Sequence, residues 1–236
     1  MALNFQTTIN PFASSLPLAV EGDFCSANVR TSMVAGEGAF VVGVNPVTVG
    51  RFAWVNAAGQ ASNNAAGGLR VGFVCLRGQM VIITPWLGGF GMTVQPGQEI
   101  TLHDAADVFI RFAGGAAIGQ KVFASYADGT AVAGAAGSTL AGSSVTASIT
   151  SNVMTVTAVG SGTLAPGQPI AGGTTTPGTT IVAQLTGTPG GIGTYSTTTT
   201  ANVVSGTLTT NGGVETRWFV DSTAAAGELA MCTTRG

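Results

Sequence analysis

From Gly129 to Val214 the chain carries no Asp, Glu, Lys, Arg or His. Chemistry at a protein site needs titratable groups, metal ligands or an activated nucleophile. This stretch offers only Ser and Thr hydroxyls, Tyr195, amides and backbone, and a hydroxyl nucleophile would find no base nearby. It is therefore scaffold, contact surface or linker.

Its apolar pattern argues against a plain linker. In "ASITSNVMTVTAV" (147–159) Ile149, Val153, Thr155 and Thr157 fall on one parity, and Met154, Val156 and Ala158 on the other. Ser151-Asn152 can turn the chain between two strands. "TTIVAQLTG" (179–187) is rich in β-branched residues, "TPGG" follows as a turn, and "IGTYSTTTT" reads as the returning strand. Pro166-Gly167 and Pro177-Gly178 suit turns, Pro presetting φ and Gly allowing φ > 0. The stretch is expected to be a small β module of about four to six strands.

Only 8% of residues are charged and 36 are Gly, with a net charge of -2. Such a surface gains little solubility from charge and is more comfortable packed against neighbours. Every apolar run is broken by Gly, Thr, Ser or Asn well short of about eighteen residues, so no membrane helix is expected. Three Trp and two Tyr are too few for the aromatic girdles of a membrane barrel. No secretory signal is expected in "MALNFQTTINPF". Eight scattered basic residues make phosphate-backbone binding, and hence nucleic acid, an unexpected partner. Cys25, Cys75 and Cys232 are odd in number and lack paired spacing, so reduced thiols are expected.

Residues 1–22 read as an extended arm. Pro11 and Pro17 oppose helix, and Phe5, Ile9, Phe12, Leu16 and Leu18 are apolar side chains that an arm cannot bury on itself. These five are the candidate contacts to a partner. Residues 38–56 show two apolar runs split by Asn45-Pro46. A hairpin is expected around Arg77-Gly78, and "MTVQPGQEITLHDAADVFIRFAG" (92–114) alternates strands with turns. Asp128-Gly129 marks a hairpin tip within 120–134. After Val214 charge returns, and "TRWFVDS" reads as a strand.

The fold expected is thus all-β: a barrel or sandwich-like core with an extended N-terminal arm and an inserted small β module. The arm is 1–22, the discontinuous core 23–138 plus 212–236, and the surface-projecting insertion 139–211. "GAAGSTLAGSS" and "TTNGG" are its expected joints. "VQPGQEI" (94–100) and "LAPGQPI" (164–170) share a pattern better explained by a recurrent turn than by duplication.

Little chemistry is offered elsewhere. His103, Asp104 and Asp107 in "LHDAAD" are expected to lie in a solvated turn rather than around a metal, because neighbours on a strand face opposite ways. Glu21 and Asp23 are close only in sequence. "GGFGM" (88–92) and "GGIG" (190–193) lack the Lys and the strand-loop-helix setting of a phosphate loop. No catalytic, cofactor-binding or metal-ligating residue is expected.

Four segments carry a resemblance: "NPFASSLPLAVEGDFCSANVRTSMVAGEGAFVVG", "VTVGRFAWVN", "ITLHDAADVFIRFAGGAAIGQKVFASYADGTA" and the closing "TRWFVDSTAAAGELAMCTT". They resemble the capsid cement, or decoration, proteins of tailed bacteriophages. "SNVMTVTAVGSGTLAPGQPIAGGTTTPGTTIVAQLTGTPGGIGTYS" resembles a β module that recurs in phage structural proteins. The resemblance implies a non-enzymatic virion protein, made in the host cytoplasm and bound on the outer capsid surface. Its implied partners are the major capsid protein and copies of itself, as a trimer or alternatively a dimer. A second expectation, of a different class, is a host-surface or glycan-binding module of a fibre or spike.

Overall fold

The computed structural model describes residues 19–76, 92–199 and 202–235, together with the backbone of Phe5–Gln6. Among these residues every regular element is a strand, so the protein is all-β. The strand β1 (Phe5–Gln6) runs parallel to β2 (Ala19–Val20), which brings the start of the expected arm back beside its end. The side chains of Phe5, Ile9, Phe12, Leu16 and Leu18 lie outside the described residues, as does the hairpin expected at Arg77-Gly78.

Nine short strands follow: β3 (Thr31–Ser32), β4 (Phe40–Val42), β5 (Val47–Thr48), β6 (Phe52–Val55), β7 (Gln60–Ser62), β8 (Arg70–Phe73), β9 (Thr93–Val94), β10 (Glu99–Ile100) and β11 (His103–Ala105). Seven of them form a sheet in the order β10-β4-β7-β6-β8-β11-β3, while β5 and β9 pair with each other. The two apolar runs expected in 38–56 are in fact three strands, because a turn at Val49-Gly50 separates β5 from β6.

The sequence of β6 explains where this sheet lies. All four residues are buried, and they alternate between two cores. Phe52 and Trp54 join Phe73 and Trp218 on one side, while Ala53 and Val55 join Val42, Val74 and Leu102 on the other. A strand with one wet face alternates apolar and polar residues; an unbroken apolar quartet marks a strand covered on both faces.

The rest of the chain builds a second, larger sheet from β12 (Val108–Arg111), β13 (Lys121–Ser125), β14 (Ala131–Gly134), β15 (Leu140–Thr150), β16 (Val153–Ser161), β17 (Ile170–Ala171), β18 (Ile181–Gly187), β19 (Gly193–Thr197), β20 (Val203–Val220) and β21 (Leu229–Thr233). The expected hairpin of 120–134 is β13 and β14, with Gly129 at φ 70° in its turn. Its central element is β20, 18 residues long. The second half of β20 pairs with β13 and β21, and β21 pairs with β12. A bridge from Phe112 to Ala131 bends this part back on itself into a half-barrel, which the seven-stranded sheet covers.

The first half of β20 belongs to a different curl. From it the ladder runs through β15, β16 and β19 to β18. Ile181 N–H then donates to Gln168 O at 3.0 Å, Gly167 N–H donates to Ile181 O at 2.7 Å, and β17 pairs back onto β20 at Ile170–Thr210. The sheet thus closes around an interior drawn wholly from residues 145–208, including Ile149, Met154, Val156, Ile181, Tyr195 and Leu208. Closure pairs edges that would otherwise be open. Outside, Ser148, Thr155, Thr194 and Thr186 lie in register across four strands, with Thr186 and Thr194 hydroxyls 2.7 Å apart. Hydroxyl rows give the charge-free surface its affinity for water.

The joints differ from expectation. β15 begins at Leu140, so "LAGSS" and "TTNGG" lie within β15 and β20 as paired strands, with register shifts between Leu140 and Ser144. A Cβ on Gly213 would stand 2.4 Å from Ala124 O, and one on Gly142 would stand 2.4 Å from Thr210 Oγ1. These glycines let backbones cross closely instead of supplying slack. Between them Ser143 N–H donates to Thr210 Oγ1 at 2.8 Å, and the two hydroxyls meet at 2.9 Å. The Pro166-Gly167 turn also rests on the other unit, because a Cβ on Gly167 would stand 2.5 Å from Ala65 Cβ.

Candidate functional site

The residues singled out for chemistry are engaged in holding strands. His103 and Asp107, expected in a solvated turn, are buried: His103 lies on β11, and Asp107 comes two residues after its last residue, Ala105. The turn reading fails because β11 is a sheet strand between β8 and β3, which covers this segment. Asp104 faces outward and pairs with Arg217. Glu21 pairs with Arg111 at 2.9 Å, whereas Asp23 accepts from the Phe24 N–H at 2.8 Å. "GGFGM" begins outside the described residues. In "GGIG", Gly191 O accepts the Tyr195 hydroxyl at 2.6 Å. Among the described residues no three His, Cys, Asp or Glu side chains converge.

Asp107 is the most elaborate of these centres. Its carboxylate accepts from Ser26 Oγ at 2.6 Å, Asn28 Nδ2 at 2.5 Å and Thr233 Oγ1 at 2.7 Å. It thereby ties the segment after β2 to the last strand of the chain. Arg235 adds to this by donating to Val29 O at 2.6 Å. Burial alone would raise the carboxyl's pKa; the three donors and the charge of Arg235 outweigh it and hold the value below the usual aspartate range. A depressed folded-state pKa stabilises fully above the ordinary aspartate range, and that contribution is lost as pH falls through the lowered value. Asp107→Asn is accordingly expected to melt lower than the native chain at neutral pH and to show a flatter decline on acidification. Thermal melts from neutral down to about pH 2 check both; parallel curves would remove the role given to this carboxylate.

The basic side chains are similarly engaged. Arg51 pairs with Asp128, and Lys121 sits 3.7 Å from the Phe219 ring centroid with Glu215 at 3.9 Å. Arg30 lies over Phe24 at 3.7 Å, and Arg70 donates to Val34 O at 3.2 Å. Each described cation thus has an intramolecular contact.

None of the cysteines is in a disulfide. Burial, then the neighbouring Asp107 carboxylate, pushes the Cys25 thiol up to about 11, and burial raises that of Cys232 as well. Phe24 bridges to Val108, and Val108 pairs with Cys232, so a whole strand separates Cys25 from Cys232. In the native protein thiol reagents are expected to react slowly at pH 8, and after denaturation without reductant all three cysteines should react. Fewer than three would contradict this arrangement.

Sequence reasoning passed over the segment from Ala27 to Ala39. It is mostly exposed and contains only the two-residue β3, at the end of the seven-stranded sheet. Its signal in the sequence was the absence of alternation around Arg30–Ala35, which makes it look like a connection.

Every regular element described is a strand, and each described cation holds an intramolecular contact. Residues 9–167 match the family model of the XM1 gp53 minor capsid protein. That is more than half of the chain, and the chain belongs to this family. The match takes in the seven-stranded sheet and ends at the Pro166-Gly167 turn of the closed module. No curated protein matches the chain. The expectation of a capsid protein is met at the level of this family.

Proposed function

We propose that the chain is a cement protein of a tailed-bacteriophage capsid. It docks on the outer face of the shell, ties neighbouring major capsid subunits together, works as a self-associated trimer, and catalyses no reaction. The minor capsid family match over residues 9–167 supports the virion role on which this reading is built. The module 139–211 is an insertion that projects from the docked core, supported by an interior drawn only from its own residues. Against the fibre or spike alternative stands Tyr195, the sole aromatic of the module, which is 1% exposed and offers no stacking platform for a sugar.

The arm supplies adhesion once the rest has docked. Each apolar side chain newly buried contributes roughly 1.5–3 kcal/mol, against about 1–2 kcal/mol per residue for fixing backbone. Phe5, Ile9, Phe12, Leu16 and Leu18 therefore cannot hold the arm alone. The test titrates undecorated shells with the full chain and with a chain lacking residues 1–18, followed by imaging of decorated particles. Density on the outer shell between major subunits, and weaker occupancy without the arm, are expected. Density on the tail would overturn the cement reading. Equal occupancy would move adhesion to the globular face.

A further inference from the structure

We infer that Asn211 is a site of spontaneous covalent modification, where ring closure with Gly212 and hydrolysis turn a neutral amide into a carboxylate at the joint between the two curls. Asn211 is the one asparagine of the chain followed by glycine; the others precede Phe, Pro, Val, Ala or Asn. A glycine has no Cβ beside its nitrogen to hinder attack. The Gly212 nitrogen, having lost its proton to hydroxide, forms a bond to Asn211 Cγ. The Cγ–Nδ2 bond breaks, and Nδ2 leaves as ammonia. Water then opens the five-membered imide. Opening at Cγ gives aspartate, and opening at the main-chain carbonyl of Asn211 gives isoaspartate. Water is the co-reactant, and nothing is oxidised or reduced.

The fold sets both access and rate. Asn211 and Gly212 are half-buried, and Asn211 lines an open cleft of about 410 Å³ with Thr139, Ser144, Ser161, Ala171 and Thr209. Solvent therefore reaches the site, and no side chain lining the cleft is charged. Bonds hold the backbone on both sides of the reacting atoms. Asn211 N–H donates to Pro169 O at 3.1 Å, Gly213 N–H donates to Asn211 Oδ1 at 3.2 Å, and Gly212 O accepts from Tyr126 N–H at 3.0 Å. β15 presses on the same place, since a Cβ on Gly212 would stand 2.6 Å from Ala141 O. Bringing Cγ onto the Gly212 nitrogen rotates a residue that these contacts fix within β20. The reaction therefore proceeds from a locally opened joint, at a rate that scales with the open fraction.

The products change the joint in two ways. Isoaspartate adds a methylene to the main chain of β20 where pairing to β15 on one side and β17 on the other sets the register. Either product puts a carboxylate into a run that otherwise has no charge from Gly129 to Val214.

The experiment incubates the full chain in mildly alkaline buffer, native and in urea, and follows each asparagine by peptide mass mapping. Digestion in isotopically labelled water separates conversion during incubation from conversion during work-up. Asn211 is expected to convert ahead of the other asparagines in both states, and more slowly in the native chain by about tenfold or more. Ser143→Ala removes a hydroxyl that meets Thr210 Oγ1 at 2.9 Å in the joint. It should speed conversion in the native chain and leave the rate in urea unchanged. Aged native protein should melt lower than fresh protein, whereas Asn211→Gln, whose longer side chain does not form this ring, should keep its melt through the same incubation. Conversion led by another asparagine, or a native Asn211 that stays intact while the urea sample converts fully, overturns the site. Equal rates in the two states overturn its control by the fold. An aged chain that melts like the fresh one overturns the effect on the joint.

Discussion

Trp218→Ala is expected to lower stability by about 3–5 kcal/mol, the range for deleting a large buried aromatic. The indole is 2% exposed, lies edge-on to Phe52 at 5.5 Å between centroids and tilted against Phe73 at 6.0 Å. Its Nε1–H donates to Ala106 O at 3.0 Å. Truncation leaves a cavity between the two sheets and strips the Ala106 carbonyl of this donor, which adds about 1–3 kcal/mol where the group stays buried. Against a typical total of about 5–15 kcal/mol, the loss is a large part of what keeps a domain folded. Phe219→Ala is the matched control. Its neighbour position puts the ring on the other face of β20, half-buried under Lys121, and its removal should cost markedly less. Denaturant midpoints check both. Equal losses would mean that Trp218 does not join the two sheets.

The second large effect separates the two halves of β20. Deleting 212–236 removes the partners of β12 and β13, together with Trp218, Val220, Ala230 and Cys232, from one core, and should abolish cooperative folding. Replacing 141–208 by a short Gly/Ser turn should not. The retained strands still meet where Leu140 pairs with Gly213. Residues 209–212 and the short turn then form the loop that joins them. What is lost is an interior that makes its own cluster, together with the rest of the Gly167 turn on Ala65. A cooperative melt and shell binding by the shortened chain are the expected readouts. Failure to fold would show that 139–211 is an integral part of the core.

Much of the strand pattern could be read directly. Asp128-Gly129, Ser151-Asn152 and the Pro-Gly pairs each place a turn, and turn chemistry is local. The echo of "VQPGQEI" and "LAPGQPI" also has a local cause. In each, the Gln side chain accepts the N–H three residues back, from Gln95 at 3.2 Å and from Ala165 at 3.0 Å. Ala117–Gln120 and Ala225–Glu228 close in the same way without the shared Pro. The motif is a turn device, which is why it recurs without duplication. Other features were not legible because they depend on distant partners. "LHDAAD" looks solvated until Ser26, Asn28 and Thr233 arrive from elsewhere in the chain. The glycines of "TTNGG" look like slack until Ala124 and Ala141 press on them.

The long strand β20 has a mechanical meaning. At about 3.3 Å per residue, its 18 residues make a beam of roughly 60 Å that is clamped in both curls. A push on the far tip at Ser151-Asn152 reaches the β13–β21 clamp through β15 and β20, across the register shifts between Leu140 and Ser144. A load on the module is therefore passed to the rest of the molecule through two continuous strands and not through a single tether.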